Sequence, residues 1–429
     1  MDRRAIWSLK VTGPITRRSA LGGLAAATLF APAVLAQAKP RVIVIGGGFG
    51  GATCARNLHR LGMAVTLIEE NAVYTSCPFS NLVLHGSRDI GAQQFTYEAI
   101  AREGVEIVAM RAQGVDGDAR RVLLSDGRTL AYDRLVLSPG IDVNFDALPG
   151  YDSAAADIMP HAWKAGAQTL LLRRQLEAMP DGGVFVMSVP ANPYRCPPGP
   201  YERASLIAHY LKTQKPKSKL IVLDAKDVFS KQRLFLDAWK ALYSDILEYV
   251  PLASGGKTTE IDAKSMTVVT EFGRHKADVA NVIPPQRAGA IAQAAGALDR
   301  SGWCPIDPVT FESKLRPNIH VIGDAAIAGA MPKSAFAANA QAKACAQAIA
   351  LLTSGKAPGE PKLINTCYSL VAPDYGISVA GVYQPGKGIF VDVQGAGGVS
   401  PIGAAPDVRA LEAQYAHDWF KITTAEVFG

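Results

Sequence analysis

At 429 residues, with 48% apolar and 19% charged side chains, the chain has the length for about two or three domains and the composition of a globular protein with a large core. Its net charge of +6 looks mildly basic, but Arg3, Arg4, Lys10, Arg17 and Arg18, against Asp2, place four of those six charges in the first 38 residues. No basic stripe stands out in the remainder, so nucleic-acid binding has no electrostatic support.

The chain opens on a targeting pattern. Thr16-Arg17-Arg18-Ser19-Ala20-Leu21 carries a twin arginine, the apolar stretch Ala20–Leu35 follows, and small residues offer cleavage after Ala36 or after Ala38. This order predicts a bacterial export signal over residues 1–38, of the twin-arginine type, and a periplasmic mature protein. A membrane anchor is the competing reading. Against it, the stretch is short of the roughly 20 apolar residues a spanning helix needs, and it contains Gly22, Gly23 and Pro32.

Next comes the stretch that organises the rest, Arg41–Glu70. The apolar run RVIVI predicts a buried parallel strand, Gly46, Gly48 and Gly51 follow with G-x-G-x-x-G spacing, Ala52–Leu61 is helical, and the run Ala64–Ile68 ends in Glu69-Glu70. This is the strand–loop–helix–strand fingerprint of a dinucleotide site. Gly46 allows the turn, Gly48 lets the backbone approach a pyrophosphate, and Gly51 lets helix and strand pack closely. The helix N-terminus offers free N–H groups to phosphates, and Glu69 or Glu70 would accept hydrogen bonds from a ribose. The motif alone does not choose between FAD and NAD. Export of a folded protein suits one that takes up such a cofactor first.

Asn71–Asn81 reads as a polar turn, Val105–Met110 as a strand, Gly114–Leu130 as hairpins, and Tyr132–Gly140 as a strand stopping at Pro139-Gly140. A second βαβ pattern begins near Ala167, with a helix Gln168–Met179, a strand Gly183–Val189, a helix Tyr201–Thr213 and a strand Ser218–Leu223 ending in Asp224. Its turn, Pro190–Pro200, lacks the glycine pattern. Prolines remove N–H donors and block close approach, so this unit is read as a nicotinamide-type domain that does not bind NAD, with a variant phosphate loop as the alternative.

Lys276–Ile283 reads as a strand before Pro284-Pro285. Asn318–Gly323 reads as a strand running into Asp324, with a helix at Ala335–Leu352. A strand closing on Gly323-Asp324 before a helix is the second FAD signature of two-dinucleotide flavoproteins. Its acid can hydrogen-bond a ribityl chain. The tail, Leu363–Gly429, has strand-like pieces at Ile377–Tyr383 and Gly388–Val393 and a short helix at Asp407–Phe420. The expected fold is therefore α/β, with two Rossmann-like dinucleotide-binding-type domains, the second inserted in the first, plus a C-terminal α+β domain. The boundaries are 39–150 with 290–356 for the FAD domain, 151–289 for the inserted domain, and 357–429 for a C-terminal interface domain.

Six cysteines are present, none in C-x-x-C, so neither a metal-ligand spacing nor a thioredoxin motif is found. Cys54 and Cys345, inside helices, read as small core residues, and Cys304 as structural. Cys77, Cys196 and Cys367 sit in turn-like, proline- or polar-rich contexts that present a side chain. Cys196 replaces the nucleotide loop, which makes it the best candidate redox thiol. A buried structural disulfide is the alternative.

With these residues in view, the chain resembles the flavoprotein subunit of flavocytochrome c sulfide dehydrogenase, among the disulfide reductase-like flavoproteins. The resemblance runs over nearly all the mature chain, most specifically at Tyr194–Ser205 (YRCPPGPYERAS), His161–Gly166, Ile283–Gly289 and Asn365–Ala380. It implies that Cys196 and Cys367 form a redox disulfide beside the flavin, that Cys77 in YTSCPFSN carries the FAD through a thioether, and that Glu202 is a proton acceptor near the disulfide. It implies sulfide as substrate and a c-type cytochrome subunit as partner. The chain has no C-x-x-C-H of its own. A sulfide:quinone oxidoreductase is one alternative, but Asp407–Phe420 does not read as an apolar, basic membrane-binding tail, so no stable membrane insertion is expected after signal removal. An NAD(P)H-linked flavin reductase and a non-catalytic flavoprotein of a sulfur-oxidation system are the others.

Overall fold

The computed structural model describes residues 39–429, and the export-signal reading lies outside the described residues. Two parallel sheets organise the molecule. The first has the strand order Ile319–Val321, Arg134–Leu137, Arg41–Ile45, Ala64–Ile68, Glu106–Val108, every neighbour parallel. Val42 to Ile45 are buried, as the continuous apolar run requires for a strand covered on both faces. The helix Phe49–Arg60 crosses from Arg41–Ile45 to its parallel neighbour Ala64–Ile68. A second helix, Ala335–Thr353, packs on it through small residues, with Asn339 Nδ2 donating to Thr53 Oγ1 at 2.9 Å.

The second sheet has the order Leu247–Val250, Lys219–Asp224, Val184–Val189, Val279–Val282, again all parallel. All four strands fall, in sequence, between Arg134–Leu137 and Ile319–Val321 of the first sheet. The chain thus leaves the first sheet, builds the second and returns. The outgoing segment Ile141–Val143 and the returning segment Gln286–Ala288 pair antiparallel, which joins the two layers. Two small antiparallel sheets, 112–131 and 258–276, flank them. The tail adds a long hairpin, Leu363–Ala372 with Tyr375–Gly386, then Ile389–Asp392 and a closing helix, Pro406–Phe428.

The differences from expectation are local. The first helix begins at Phe49 rather than Ala52, because Gly50 and Gly51 already take helical turns. The run 276–283 divides: Arg274–Lys276 belongs to an antiparallel sheet and Val279–Val282 to the parallel one. The strand Leu363–Ala372 was not expected at all. Asn365, Thr366 and Ser369 break its apolar run, yet most of it is buried. The last helix runs on to Phe428 instead of ending at Phe420, carried by the burial of Thr423, Thr424, Val427 and Phe428.

Candidate functional site

A cavity of about 480 Å³ opens where the C-terminal ends of the first sheet meet the second sheet and the tail hairpin. Its first wall is the glycine turn. Gly46 has φ +99°, and a Cβ there would stand 2.3 Å from the Ser138 carbonyl oxygen. A Cβ on Gly51 would stand 1.7 Å from the Gly46 oxygen, so the helix can sit on the turn only without one. At Gly48 the nearest protein atom is 3.4 Å away, in the Tyr74 ring. The protein itself therefore leaves room at Gly48, and the constraint there comes from the cavity side. Gly47 to Gly50 line the cavity at the start of an uncapped helix with no acidic residue in its first turn, the geometry that suits a phosphate.

Glu69 and Glu70 both line this end. Glu69 is turned onto the loop: Oε2 accepts the Gly47 N–H at 2.8 Å, and Oε1 accepts the Asn71 N–H at 2.9 Å. At the other end lie Gly323, at φ +72°, and Asp324. Gly323 N–H donates to Gln341 Oε1 at 2.8 Å. Asp324 Oδ1 is buried without a hydrogen-bond partner, and its other oxygen stands 4.0 Å from Arg195 Nε. Burial raises the Asp324 carboxyl, opposed by Arg195 and Lys333. An orphaned acceptor costs energy unless a donor meets it. The hydroxyls of a ribityl chain are such donors, so the wall residues fit an FAD. The helix N-terminus facing this part of the cavity starts only at Ala335, after a turn Gly323–Ala325 and a short strand Ala326–Ile327, and not directly after Asp324.

Three cysteines reach the same cavity from three elements: Cys77, Cys196 and Cys367. All six thiols are free in this structure, and Cys54, Cys304 and Cys345 are buried in the core. Cys77 precedes a short helix, Ser80–His85, with its Sγ 3.7 Å from the Trp163 carbonyl oxygen. Cys196 sits at φ +58°, its N–H donating to the Lys333 carbonyl at 2.7 Å and its own carbonyl accepting from Gly199 at 2.8 Å. Gly199 opens the helix Gly199–Gln214, and a Cβ there would come within 2.9 Å of both Cys196 Sγ and the Trp163 ring. Cys367 is not in a turn, as its polar surroundings had suggested. It is buried in mid-strand, paired with Val379, and Asn365 Nδ2 donates to its Sγ at 3.2 Å. Burial raises both thiols. At Cys196 the neighbouring Cys367 and Glu202 add to the rise while Arg195 and Lys231 oppose it; at Cys367 Lys231, Asn365 and Ser334 oppose it and Glu202 adds to it.

Glu202, in the first turn of its helix, is pinned by two donors: the Leu370 N–H at 2.9 Å and Asn81 Nδ2 at 2.7 Å. Burial still carries its carboxyl above the ordinary range. Sequence reasoning missed the cations around it. Arg203 is buried with neutral acceptors only: Asn81 Oδ1 at 3.0 Å, Asn281 Oδ1 at 3.0 Å, and the carbonyls of His161 and Ala162 at 2.9 and 2.7 Å. Its guanidinium is lowered to about 9 by burial. For Arg195, which donates to the Trp163 carbonyl, burial works against the charge, but Cys77, Asp324 and Tyr74 hold it up. Both arginines lie inside the Tyr194–Ser205 motif, Arg195 next to Cys196 and Arg203 next to Glu202, and that adjacency was the available signal. Lys231 had none.

Asp224, at the end of its strand, is fully buried and accepts from Tyr201 Oη at 2.6 Å, Tyr249 Oη at 3.1 Å and Lys226 Nζ at 2.6 Å. Tyr201 stacks on Phe229 with centroids 3.6 Å apart.

Comparison with known proteins is consistent along the chain. Residues 40–170 match the pyridine nucleotide-disulphide oxidoreductase family. Residues 169–284 match the central region of the sulfide dehydrogenase [flavocytochrome c] flavoprotein chain, and residues 359–428 match the flavin-binding region of flavocytochrome c sulphide dehydrogenase. A sulfide dehydrogenase [flavocytochrome c] flavoprotein chain of Chlorobaculum thiosulfatiphilum is 51% identical over 45 residues, which are 10% of this chain and 94% of that sequence. The mitochondrial sulfide:quinone oxidoreductase of Mus musculus is 22% identical over 307 residues, covering 66% of this chain and 65% of the mouse protein, just under two thirds of its length. The sulfide:quinone oxidoreductase structure of Aquifex aeolicus superposes with a TM-score of 0.72 at 17% identity over 90% of this chain and 91% of that one, a likeness of fold.

Proposed function

We propose that this chain, which belongs to the flavoprotein subunits of flavocytochrome c sulfide dehydrogenase, is an FAD-dependent sulfide dehydrogenase that works through a Cys196–Cys367 disulfide and passes electrons to a c-type cytochrome. The observation that carries the reading is the meeting of Cys196 and Glu202, from one loop-and-helix segment, with Cys367, from a strand far along the sequence, in one cavity. Hydrosulfide, an anion, enters a pocket whose Arg195 and Arg203 are charged while burial raises its carboxyls Glu202 and Asp324 toward neutrality. It attacks the disulfide by thiol–disulfide exchange, giving a persulfide and a thiolate. Glu202 takes up the persulfide proton, which its raised pKa suits. When bound, FAD accepts an electron pair and returns single electrons, which matches a one-electron haem partner.

Cys77 is the proposed point of covalent flavin attachment. Its position on the cavity wall, against the Trp163 carbonyl, supports this. Purified protein denatured in acid is expected to keep its yellow colour on the polypeptide, and Cys77→Ser to release it. Flavin lost from the wild type removes the link. The Arg17-Arg18 pattern supports a periplasmic location.

The test of the function is anaerobic. Sulfide is expected to bleach the flavin, and added cytochrome c to be reduced. Cys196→Ser and Cys367→Ser are each expected to abolish both. Flavin bleaching in either serine variant at the wild-type rate overturns the disulfide route.

A quinone-linked reading has one observation in its favour. Among the described residues no helix is long and apolar enough to cross a membrane. The last helix nevertheless exposes Leu411 (49%), Tyr415 (48%) and Ile422 (67%), more apolar surface than its sequence suggested. Reduction of a water-soluble quinone in preference to cytochrome c would favour that reading.

A further inference from the structure

Behind Cys367 lies a charge for which the sulfide reading has found no use. Lys231 is 8% exposed and sits at φ +62° before the helix Gln232–Leu242. Its ammonium donates to the Cys367 carbonyl at 2.8 Å, to Ser369 Oγ at 2.8 Å and to the Ile377 carbonyl at 3.4 Å. All three protons are spent on neutral acceptors of the tail hairpin, so the hydrogen bonds fix the cation without neutralising it. The groups that face it are Cys367 from the hairpin, Glu202 from its helix, Cys196 from the proline loop and Glu412 from the last helix. On the other side of the sulfur, Asn365 Nδ2 donates to Cys367 Sγ at 3.2 Å, while Asn365 Oδ1 is held by the Ser334 hydroxyl at 2.6 Å. Cys196 is acted on by Arg195 as well as Lys231, but Cys367 and Glu202 oppose a charge there more strongly, and of the two sulfurs Lys231 acts more on Cys367.

Resting on the sulfide-oxidising reading, we propose that Lys231 is a positioning residue that holds the negative charge on the Cys367 sulfur when the cysteine pair is opened. The step balances without an outside reagent. Hydrosulfide adds to Cys196 Sγ and a new S–S bond forms there. The Cys196–Cys367 bond breaks, and its electron pair leaves on Cys367. One hydrosulfide and one disulfide become one persulfide and one thiolate. Burial brings the Lys231 ammonium down to about 8, with Cys367 and Glu202 holding it up, so the charge is present at neutral pH. A buried cation close to a thiol lowers that thiol's pKa, by about 1 to 3 units in well-placed cases.

The test uses the holoprotein reduced with dithiothreitol. Iodoacetamide labelling is followed against pH, and mass spectrometry reads Cys196 and Cys367 separately. In the wild type Cys367 is expected to label with the lower pH midpoint. Lys231→Gln keeps a donor for the Cys367 carbonyl but no charge, and is expected to raise that midpoint by ~1 unit or more. The rate of sulfide bleaching should then fall about tenfold at neutral pH. Lys231→Arg is expected to restore both. Equal flavin content and melting temperature separate this from a folding effect, which would leave the midpoint where it was. An unmoved Cys367 midpoint in Lys231→Gln overturns the proposal. So does a wild type in which Cys196 ionises first, a measurement that needs no variant to fold. Labelling needs no sulfide turnover, so a protein inert to sulfide that still shows the shift would overturn the sulfide reading and leave the Lys231 assignment standing.

Discussion

Glu202 shows how one side chain at the site can join two elements. It ties the strand Leu363–Ala372 to the short helix Ser80–His85 through the Leu370 N–H and Asn81. Replacing it by Gln keeps an acceptor for Leu370 but no proton acceptor. Glu202→Gln is expected to retain its flavin and to slow sulfide bleaching on the order of a hundredfold, within the usual worth of a general base. Stopped-flow absorbance would measure it, and an unchanged rate would take the proton role from Glu202. The buried histidines make a second residue-scale prediction. Burial lowers His161 and His320 to about 4. Unfolded, each ionises near 6.5, so between about 4 and 6.5 the unfolded chain binds more protons than the folded one. Stability therefore falls as pH drops through that window. A melting temperature that declines from pH 6.5 to 4 is expected, with a shallower slope in His320→Gln. A flat profile in the wild type would refute this.

At the scale of elements, the last helix does more than close the tail. Phe428 stacks on Tyr74 with centroids at 5.3 Å and on Phe95 at 4.9 Å, and meets Phe49 edge-on at 5.8 Å. Phe49 and Tyr74 line the cavity beside the glycine turn. Arg56 binds the Glu426 carbonyl and pairs with Glu103, fastening this end of the helix to the first Rossmann-like unit. Phe428→Ala is expected to cost on the order of 3 kcal/mol of stability and to raise the rate at which the denaturing protein loosens around its flavin, seen as an earlier rise of flavin fluorescence on heating. Little of this was legible in the sequence. Thr423 and Thr424 lower helix propensity, so the sequence pattern stops at Phe420, and burial keeps the helix going. The strand that carries Cys367 was hidden for a related reason. Its Asn365 and Ser369 are buried polar groups, partnered by Ser334 and Lys231 across long sequence distances. By contrast the glycine turn was legible, because the Gly46–Gly51 contact is local and no other residue type fits it.

For the whole molecule, the two sheets share a plan but not a use. In the first, the space beyond the strand ends is open. In the second, Asp224 is committed to Tyr201, Tyr249 and Lys226, and Tyr201 in turn stacks on Phe229. NADH and NADPH are therefore expected to leave the flavin oxidised under anaerobic conditions in which sulfide bleaches it. Bleaching by either would show that a nucleotide can displace that cluster. The proline turn of the sequence points the same way, since it removes the N–H donors a phosphate needs. The side chains that hold Asp224 could not be read there, because they come from three separated segments.

The first sheet is completed by Ile319–Val321, long after its other four strands have been made. A chain emerging from the ribosome must hold Arg134–Leu137 as an unpaired edge while the whole second sheet is synthesised and folds, domains tending to fold as units during synthesis. The pocket, whose wall runs from Gly46 through Asp324 and Cys367 to Trp419, is complete only when almost the whole chain is out. Cofactor capture is thus a late event in the life of each new molecule. The long interval with an unpaired strand edge is where chaperone protection would matter most.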